Sequence, residues 1–118
     1  MGSVTTTIED ERLSETFAAL ANSTRRAILA RLTQGEATVA ELVVPFSVSQ
    51  PAISRHLKVL EGAGLVTRTR RATARLSHLR AEPLREATVW LAGYRDYWEQ
   101  SYERLEELLA AVQAGATD

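Results

Sequence analysis

The chain contains no cysteine, which excludes disulfides, thiolate metal sites, thiol catalysis and thiol redox sensing. Its two histidines, His56 and His78, are too few to complete a tetrahedral metal site without carboxylates or a second subunit. No apolar run approaches the ~20 residues that cross a bilayer. No cationic segment followed by an apolar stretch opens the chain, so no signal peptide is expected. Met1-Gly2 with Thr6 loosely matches an N-myristoylation pattern, but no basic cluster beside it supplies a second anchoring signal. There is no Gly-rich phosphate loop, no nucleophile–histidine–acid grouping in one segment and no cluster of metal ligands. Neither catalysis, a cofactor nor a membrane partner is expected, and the chain reads as cytoplasmic.

What is present is the composition of one globular domain: 118 residues, 45% hydrophobic and 25% charged. The net charge of -1 conceals an uneven distribution. Residues 1–24 carry four acids against Arg12, and residues 81–118 carry eight acids against three arginines. Between them, residues 49–80 carry Arg55, Lys58, Arg68, Arg70, Arg71, Arg75 and Arg80 against Glu61 alone. A basic centre flanked by acidic ends points to a polyanion partner better than the net charge does.

Local signals divide the chain. A first helix is expected from Thr7 or Ile8, with acids in its first turn and an apolar stripe of Leu13, Phe17 and Leu20. Asn22 is suited to cap a second helix carrying Ile28, Leu29 and Leu32, which Gly35 ends. Thr38 and Glu41 have the spacing of a capping box for a short third helix, closed by Pro45. A fourth, over about 49–61, tolerates Pro51 in its first turn and ends at Gly62-Ala63-Gly64. Its apolar stripe is Ile53, Leu57 and Leu60. From Val66 the period shortens to two, predicting a hairpin over about 66–79 with a turn at Arg71-Ala72-Thr73. Pro83 opens a single long last helix. Leu84, Leu91, Tyr94, Trp98, Leu105 and Leu108 fall on an a/d seam in it, weakened at Gly93.

Two short helices joined by a tight turn, the second polar on one face, make a helix-turn-helix. With Ile53, Leu57 and Leu60 inward, Gln50, Pro51, Ser54, Arg55 and Lys58 face outward. Glutamine can pair bidentately with adenine and arginine with guanine, while serine adapts and lysine takes phosphate. In the following hairpin, Arg68, Arg70, Arg71 and Arg75 crowd one short ribbon with no acid nearby, so no local ion pairs are expected for them. Such a cluster repels itself unless an anion such as nucleic-acid phosphate is supplied. Helix-turn-helix plus basic hairpin is a mainly helical, winged-helix plan.

The segments Leu20-Ala21-Asn22-Ser23-Thr24-Arg25-Arg26-Ala27-Ile28-Leu29, Val39-Ala40-Glu41-Leu42, Ser49 to Leu60 and Ala63-Gly64-Leu65-Val66 resemble the ArsR/SmtB family over residues 9–80. The last helix, with Tyr94-Arg95-Asp96-Tyr97-Trp98-Glu99, resembles a subgroup found in actinobacteria and related bacteria. The resemblance implies a small homodimeric winged-helix repressor on an inverted-repeat operator in double-stranded DNA. It also implies first and last helices paired across a two-fold axis, placing Leu13 and Phe17 with the seam of Leu84, Leu91, Tyr94, Trp98, Leu105 and Leu108. Metal-sensing relatives place cysteines after a Glu-Leu pair in the third helix, where Val43 and Pro45 stand here. Others use histidines in the last helix, which has none, so no metal site is expected. A small-molecule effector stays open.

Alternatives remain for several residues. Ser47 and Gln50 also have capping-box spacing, and Ser49 is an equally good N-cap, so Gln50 either reads a base or folds back on its helix. Ser49 could touch phosphate even as a cap. His56 flanks the buried stripe, which favours a structural or phosphate-contacting role. His78 with Glu82 reads better as a ribbon histidine than as a metal pair. Tyr94, Tyr97, Trp98 and Tyr102 fit an aromatic dimer core or a ligand cleft. A MarR-like repressor, or a helical dimer that binds a protein, are the competing functions. The expected domain is 8–112, with tails at 1–7 and 113–118.

Overall fold

A computed structural model describes residues 4–116, with side chains from residue 9 to residue 115. The outermost parts of the expected tails, including the Met1-Gly2 pair, lie outside the described residues. The elements are α1 (Val4–Leu20), α2 (Ser23–Leu32), α3 (Val39–Val43), α4 (Gln50–Gly62), β1 (Val66–Arg71), β2 (Ala74–Leu79), α5 (Glu82–Ala92) and α6 (Arg95–Ala116). The chain divides into two compact units at Ala87/Thr88, within α5.

In the first unit the helices start and stop where side chains satisfy the backbone. The Asn22 side chain accepts from the Arg25 amide at the head of α2. Thr38 and Glu41 form the full reciprocal capping box of α3, and its hydrogen bonds hold the Glu41 carboxyl below its usual range. Helix α4 closes in a Schellman motif. The Leu65 amide donates to Leu60 O at 2.9 Å and that of Gly64 to Glu61 O at 3.0 Å. Gly64 holds φ +78° there, a left-handed position that glycine occupies without a Cβ clash.

The core gathers around α4. Ile53, Leu57 and Leu60 are wholly buried, with Ile28 of α2, Leu42 of α3, and Leu65 and Val66 leading into the hairpin. Each such side chain stabilises the fold by about 1.5–3 kcal/mol through apolar burial. Strands β1 and β2 pair antiparallel from Val66↔Leu79 to Arg71↔Ala74. Two backbone bonds between Ala37 and Ser77, at 3.2 and 2.8 Å, fasten the loop before α3 to β2.

Helix α1 departs from expectation in two ways. It begins at Val4, ahead of the expected Thr7 or Ile8, so no acid falls in its first turn. It also turns small residues to the core. Thr16 and Ala19 are buried, whereas Leu13 is half-buried and Phe17 is 36% exposed. Small side chains allow the helix to approach closely, and the Thr16 hydroxyl is satisfied by donating to Arg12 O at 3.0 Å.

The single long last helix is corrected to two helices. The Gly93 amide donates to Trp90 O at 3.1 Å and that of Tyr94 to Leu91 O at 3.0 Å, so α5 tightens to i→i+3 bonds and stops. A Cβ at Gly93 would stand 3.2 Å from Trp90 O. The a/d pattern therefore spans two helices instead of one continuous seam. In the second unit no described residue is buried. Trp98, Leu105, Leu108 and Val112 of α6 are 50–61% exposed, and Trp90 meets Tyr94 edge-on at 5.4 Å.

Candidate nucleic-acid interface

The turn from α3 to α4 decides what the head of α4 presents. Ser49 is the N-cap: its hydroxyl accepts from the Ala52 amide at 3.3 Å. Gln50 is thereby the first helical residue, exposed and free of the capping duty that its spacing from Ser47 allowed. Pro51 follows in the first turn, where an amide has no intrahelical partner anyway. Pro51, Arg55 and Lys58 are exposed and Ser54 half-buried, on the side away from Ile53, Leu57 and Leu60. Neither Arg55 nor Lys58 forms an ion pair among the described residues. The positive end of the helix dipole adds to this face.

His56 points the other way along α4. Its Nδ1 lies 3.4 Å from Nη1 of Arg25 on α2. A guanidinium only donates, so Nδ1 accepts and the proton of the neutral ring sits on Nε2. Burial first, then the charges of Arg25 and Arg55, hold the imidazole below its ordinary pKa. His56 thus serves packing between α2 and α4.

The hairpin sorts its arginines by strand alternation. On one face Val66, Arg68 and Arg70 stand opposite Leu79, Ser77 and Arg75. Arg68 is drawn inward: its side chain is 11% exposed, with Nε 3.1 Å from Oε2 of Glu61 at the end of α4. Neither Nε nor Nη2 makes a well-aligned hydrogen bond, so the pair is held by charge more than by geometry. Farther out, Arg70 and Arg75 are direct cross-strand neighbours, both exposed and without an acid partner among the described residues. Like charges placed opposite one another destabilise a ribbon unless an anion joins them.

The other face carries Arg71, whose Nη1 lies 3.3 Å from Oε1 of Glu36. The second oxygen of Glu36 is 3.3 Å from His78 Nδ1, and His78 Nε2 is 2.6 Å from Thr69 Oγ1. The expectation that none of the four arginines finds a local acid is therefore corrected for Arg68 and Arg71. Their partners come from the end of α4 and from the loop before α3. His78 pairs with Glu36, while Glu82 pairs with Arg80 at 3.5 Å. Among the described residues no three histidine, aspartate or glutamate side chains gather as a metal site.

The turn at the tip is two residues long, Ala72-Thr73, with Ala72 at φ +56°. That position normally suits glycine or asparagine, and Arg71, expected in the turn, is instead the last paired residue of β1. Sequence reasoning overlooked Arg25 and Arg26 as well. Arg25 donates to Ala19 O at 2.7 Å and Ala18 O at 3.1 Å, and Arg26 to Leu20 O at 2.6 Å. Both cap the carbonyl end of α1, where the last turn's carbonyls run out of intrahelical donors. Of these three carbonyls, only that of Ala18 also accepts, among the described residues, from a backbone amide, Ala21 N at 3.2 Å. Two arginines shortly after a helix end were the available signal.

Of the seam residues, Leu84 packs against the core of its own chain. Leu13 is half-buried in α1, and Leu91, Tyr94, Trp98, Leu105 and Leu108 are exposed in the second unit.

A capped helix-turn-helix with a polar second helix, followed by a two-stranded basic wing, is the architecture of winged-helix DNA-binding regulators. Residues 22–68 match the model of the family described as bacterial regulatory protein, arsR family. The chain is 49% identical over 61 residues to the HTH-type transcriptional regulator Rv2034 of Mycobacterium tuberculosis, covering 52% of this chain and 57% of that one. It is 42% identical over 76 residues to the HTH-type transcriptional regulator YuzN of Bacillus subtilis, covering 58% of this chain and 83% of the relative. Among solved structures, the ArsR family transcriptional regulator RHA00566 superposes with a TM-score of 0.69 at 38% identity, over 76% of this chain and 93% of that one. The chain belongs to the arsR family of bacterial regulatory proteins.

Proposed function

We propose that the protein is a homodimeric transcriptional repressor acting on an inverted-repeat operator in the cytoplasm. Helix α4 enters the major groove with Gln50, Ser54 and Arg55 toward base edges, and Ser49, Pro51 and Lys58 near the backbone. The wing tip, with Arg70 and Arg75, lies on flanking backbone or minor groove. One observation carries this reading: Arg70 and Arg75 face each other at the wing tip without an acid partner among the described residues, on the same chain as the polar outward face of α4. Membership in the arsR family favours it over a MarR-like repressor. Arg68 and His56 are withdrawn from the contact set, being engaged with Glu61 and Arg25.

The family is one of regulators, and the reading assigns this chain no catalytic step. No helix among the described residues is long and apolar enough to cross a membrane. The absence of cysteine and the separation of His56 on α4 from His78 on β2 argue against a thiophilic metal as effector. A small organic effector is compatible with the exposed aromatic residues of α5 and α6. Self-pairing of those helices is favoured over a foreign protein partner because closed two-fold symmetry is the commonest way to cover such a face.

Fluorescence anisotropy across a salt series, on a selected inverted-repeat duplex and a scrambled one, tests the DNA reading. Arg55→Ala should cost roughly 1–3 kcal/mol on the selected site and relax its preference at one base pair per half-site. Arg70→Ala should weaken both duplexes alike and flatten the salt dependence by about 0.9 for each phosphate no longer neutralised. Retention of full affinity and slope in both variants would remove the reading.

A further inference from the structure

We propose that Glu36 is an internal counter-anion that holds Arg71 away from DNA and thereby limits the affinity of the wing. The inference rests on the wing being a DNA-binding element. Three features place Glu36 in this role. First, its position is imposed by backbone: the Ala37–Ser77 bonds at 3.2 and 2.8 Å fasten the adjoining residue to β2, and Gly35 turns the chain at φ +140°. The carboxylate is therefore carried to the wing by the fold and does not depend on the ion pair for its place.

Second, its two oxygens are divided. Oε1 lies 3.3 Å from Arg71 Nη1 and Oε2 lies 3.3 Å from His78 Nδ1, with the far nitrogen of His78 engaged by Thr69 at 2.6 Å. The histidine side is braced and a third exposed, whereas Arg71 is 77% exposed. An ion pair with so open a cation is weak and screened by salt, so a phosphate can compete for the guanidinium. Third, Arg70 and Arg75, on the opposite face of the ribbon, have no acid partner among the described residues. Of the three arginines at the tip, Arg71 alone has, among the described residues, an acid partner that phosphate must displace. Removing that competitor exposes one more phosphate-binding cation without altering the others.

The test uses the full chain and a random-sequence duplex of about 30 bp, read by fluorescence anisotropy over a sodium chloride series. Glu36→Gln keeps the side chain's shape and an acceptor for His78 while discarding the charge. It should tighten binding roughly 2–5-fold near 0.1 M salt, the worth of a weak exposed ion pair, and steepen the salt slope by up to about 0.9, the value for one more phosphate neutralised. In the Arg71→Ala background the same substitution should change nothing. A Glu36→Gln protein that melts normally yet matches the parent in affinity and slope overturns the proposal. So does a gain that survives in the Glu36→Gln/Arg71→Ala protein, since the effect is then general charge and not release of Arg71. Arg70→Ala and Lys58→Ala, run alongside, report on the wing and helix themselves. If they too leave binding unaltered, the DNA reading has failed, and the role of Glu36 falls with it.

Discussion

The guanidinium of Arg25 joins three elements at once: Nη1 lies 3.4 Å from Nδ1 of His56 on α4, while Nε and Nη2 donate to the final carbonyls of α1. One side chain of α2 thereby ends α1 and fixes the rotation of α4, the helix whose opposite face carries Gln50, Ser54 and Arg55. Arg25→Ala should lower stability by about 1.5–3 kcal/mol, the range for hydrogen bonds to a charged group. Arg25→Lys should recover only part of it, because an ammonium cannot span three divergent acceptors as a planar fork does. Urea unfolding of the three proteins is the check, and equal stabilities would refute the clamp.

The same contact gives acid sensitivity a direction. Burial, then Arg25 and Arg55, lower the pKa of His56 below its ordinary value, so the unfolded chain takes up the proton more readily than the folded one. The stability that neutral His56 contributes is present above the unfolded value near 6.5 and is lost as pH falls through the folded value. Urea midpoints compared at about pH 7.5 and pH 5.5 should drop more in the parent than in His56→Gln. An identical drop in both would remove His56 as the cause.

Arg68 and Arg70 differ by two positions on one strand and should behave oppositely. Arg68 is nearly enclosed beside Glu61, so Glu61→Ala leaves a guanidinium without its counter-charge. We expect a loss of about 1–3 kcal/mol, below the full buried-pair value because Glu61 itself is half exposed. Arg68→Met should leave the salt slope of DNA binding unchanged, whereas Arg70→Ala flattens it. A slope that falls with Arg68→Met would place that guanidinium on DNA after all.

At the wing tip, Ala72 occupies left-handed backbone at φ +56°. That conformation costs an alanine about 1–2 kcal/mol, against roughly 0.5–1 kcal/mol of extra chain entropy for glycine. Ala72→Gly should therefore stabilise the protein by up to about 1 kcal/mol, seen as a higher urea midpoint. A lower midpoint would show that the turn is not strained.

Trp98 is 57% exposed in a unit that buries none of its own described residues. In an isolated chain Trp98→Asp would cost little. In a dimer joined through α6 it places a carboxylate in the interface. Sedimentation at about micromolar concentration should give a dimer for the parent and a monomer for the variant, with the first unit still folded by circular dichroism. A monomeric parent would rule out the dimer.

The parts legible in the sequence were those set by neighbours along the chain. Asn22, the Thr38–Glu41 box and the glycine after α4 act within one turn of their helices, and the Ile53, Leu57 and Leu60 stripe needs only a 3.6-residue period. These locate the helix-turn-helix and the outward face of α4 without reference to any other element. The choice of Ser49 over Ser47 as cap was ambiguous in sequence, because both spacings are permitted and only the path of the turn selects one.

What the tertiary structure decided is which charges remain free. Four hairpin arginines look equivalent in sequence, yet Glu61 claims Arg68 and Glu36 claims Arg71, leaving Arg70 and Arg75 opposed at the tip. The small residues Thr16 and Ala19, not Phe17, face the core from α1, and the last helix divides at Gly93. Caps and stripes follow from the helical repeat, so a one-dimensional reading finds them. Ion pairs and burial depend on distances between elements remote in the chain, and these exist only once the core has brought the elements together.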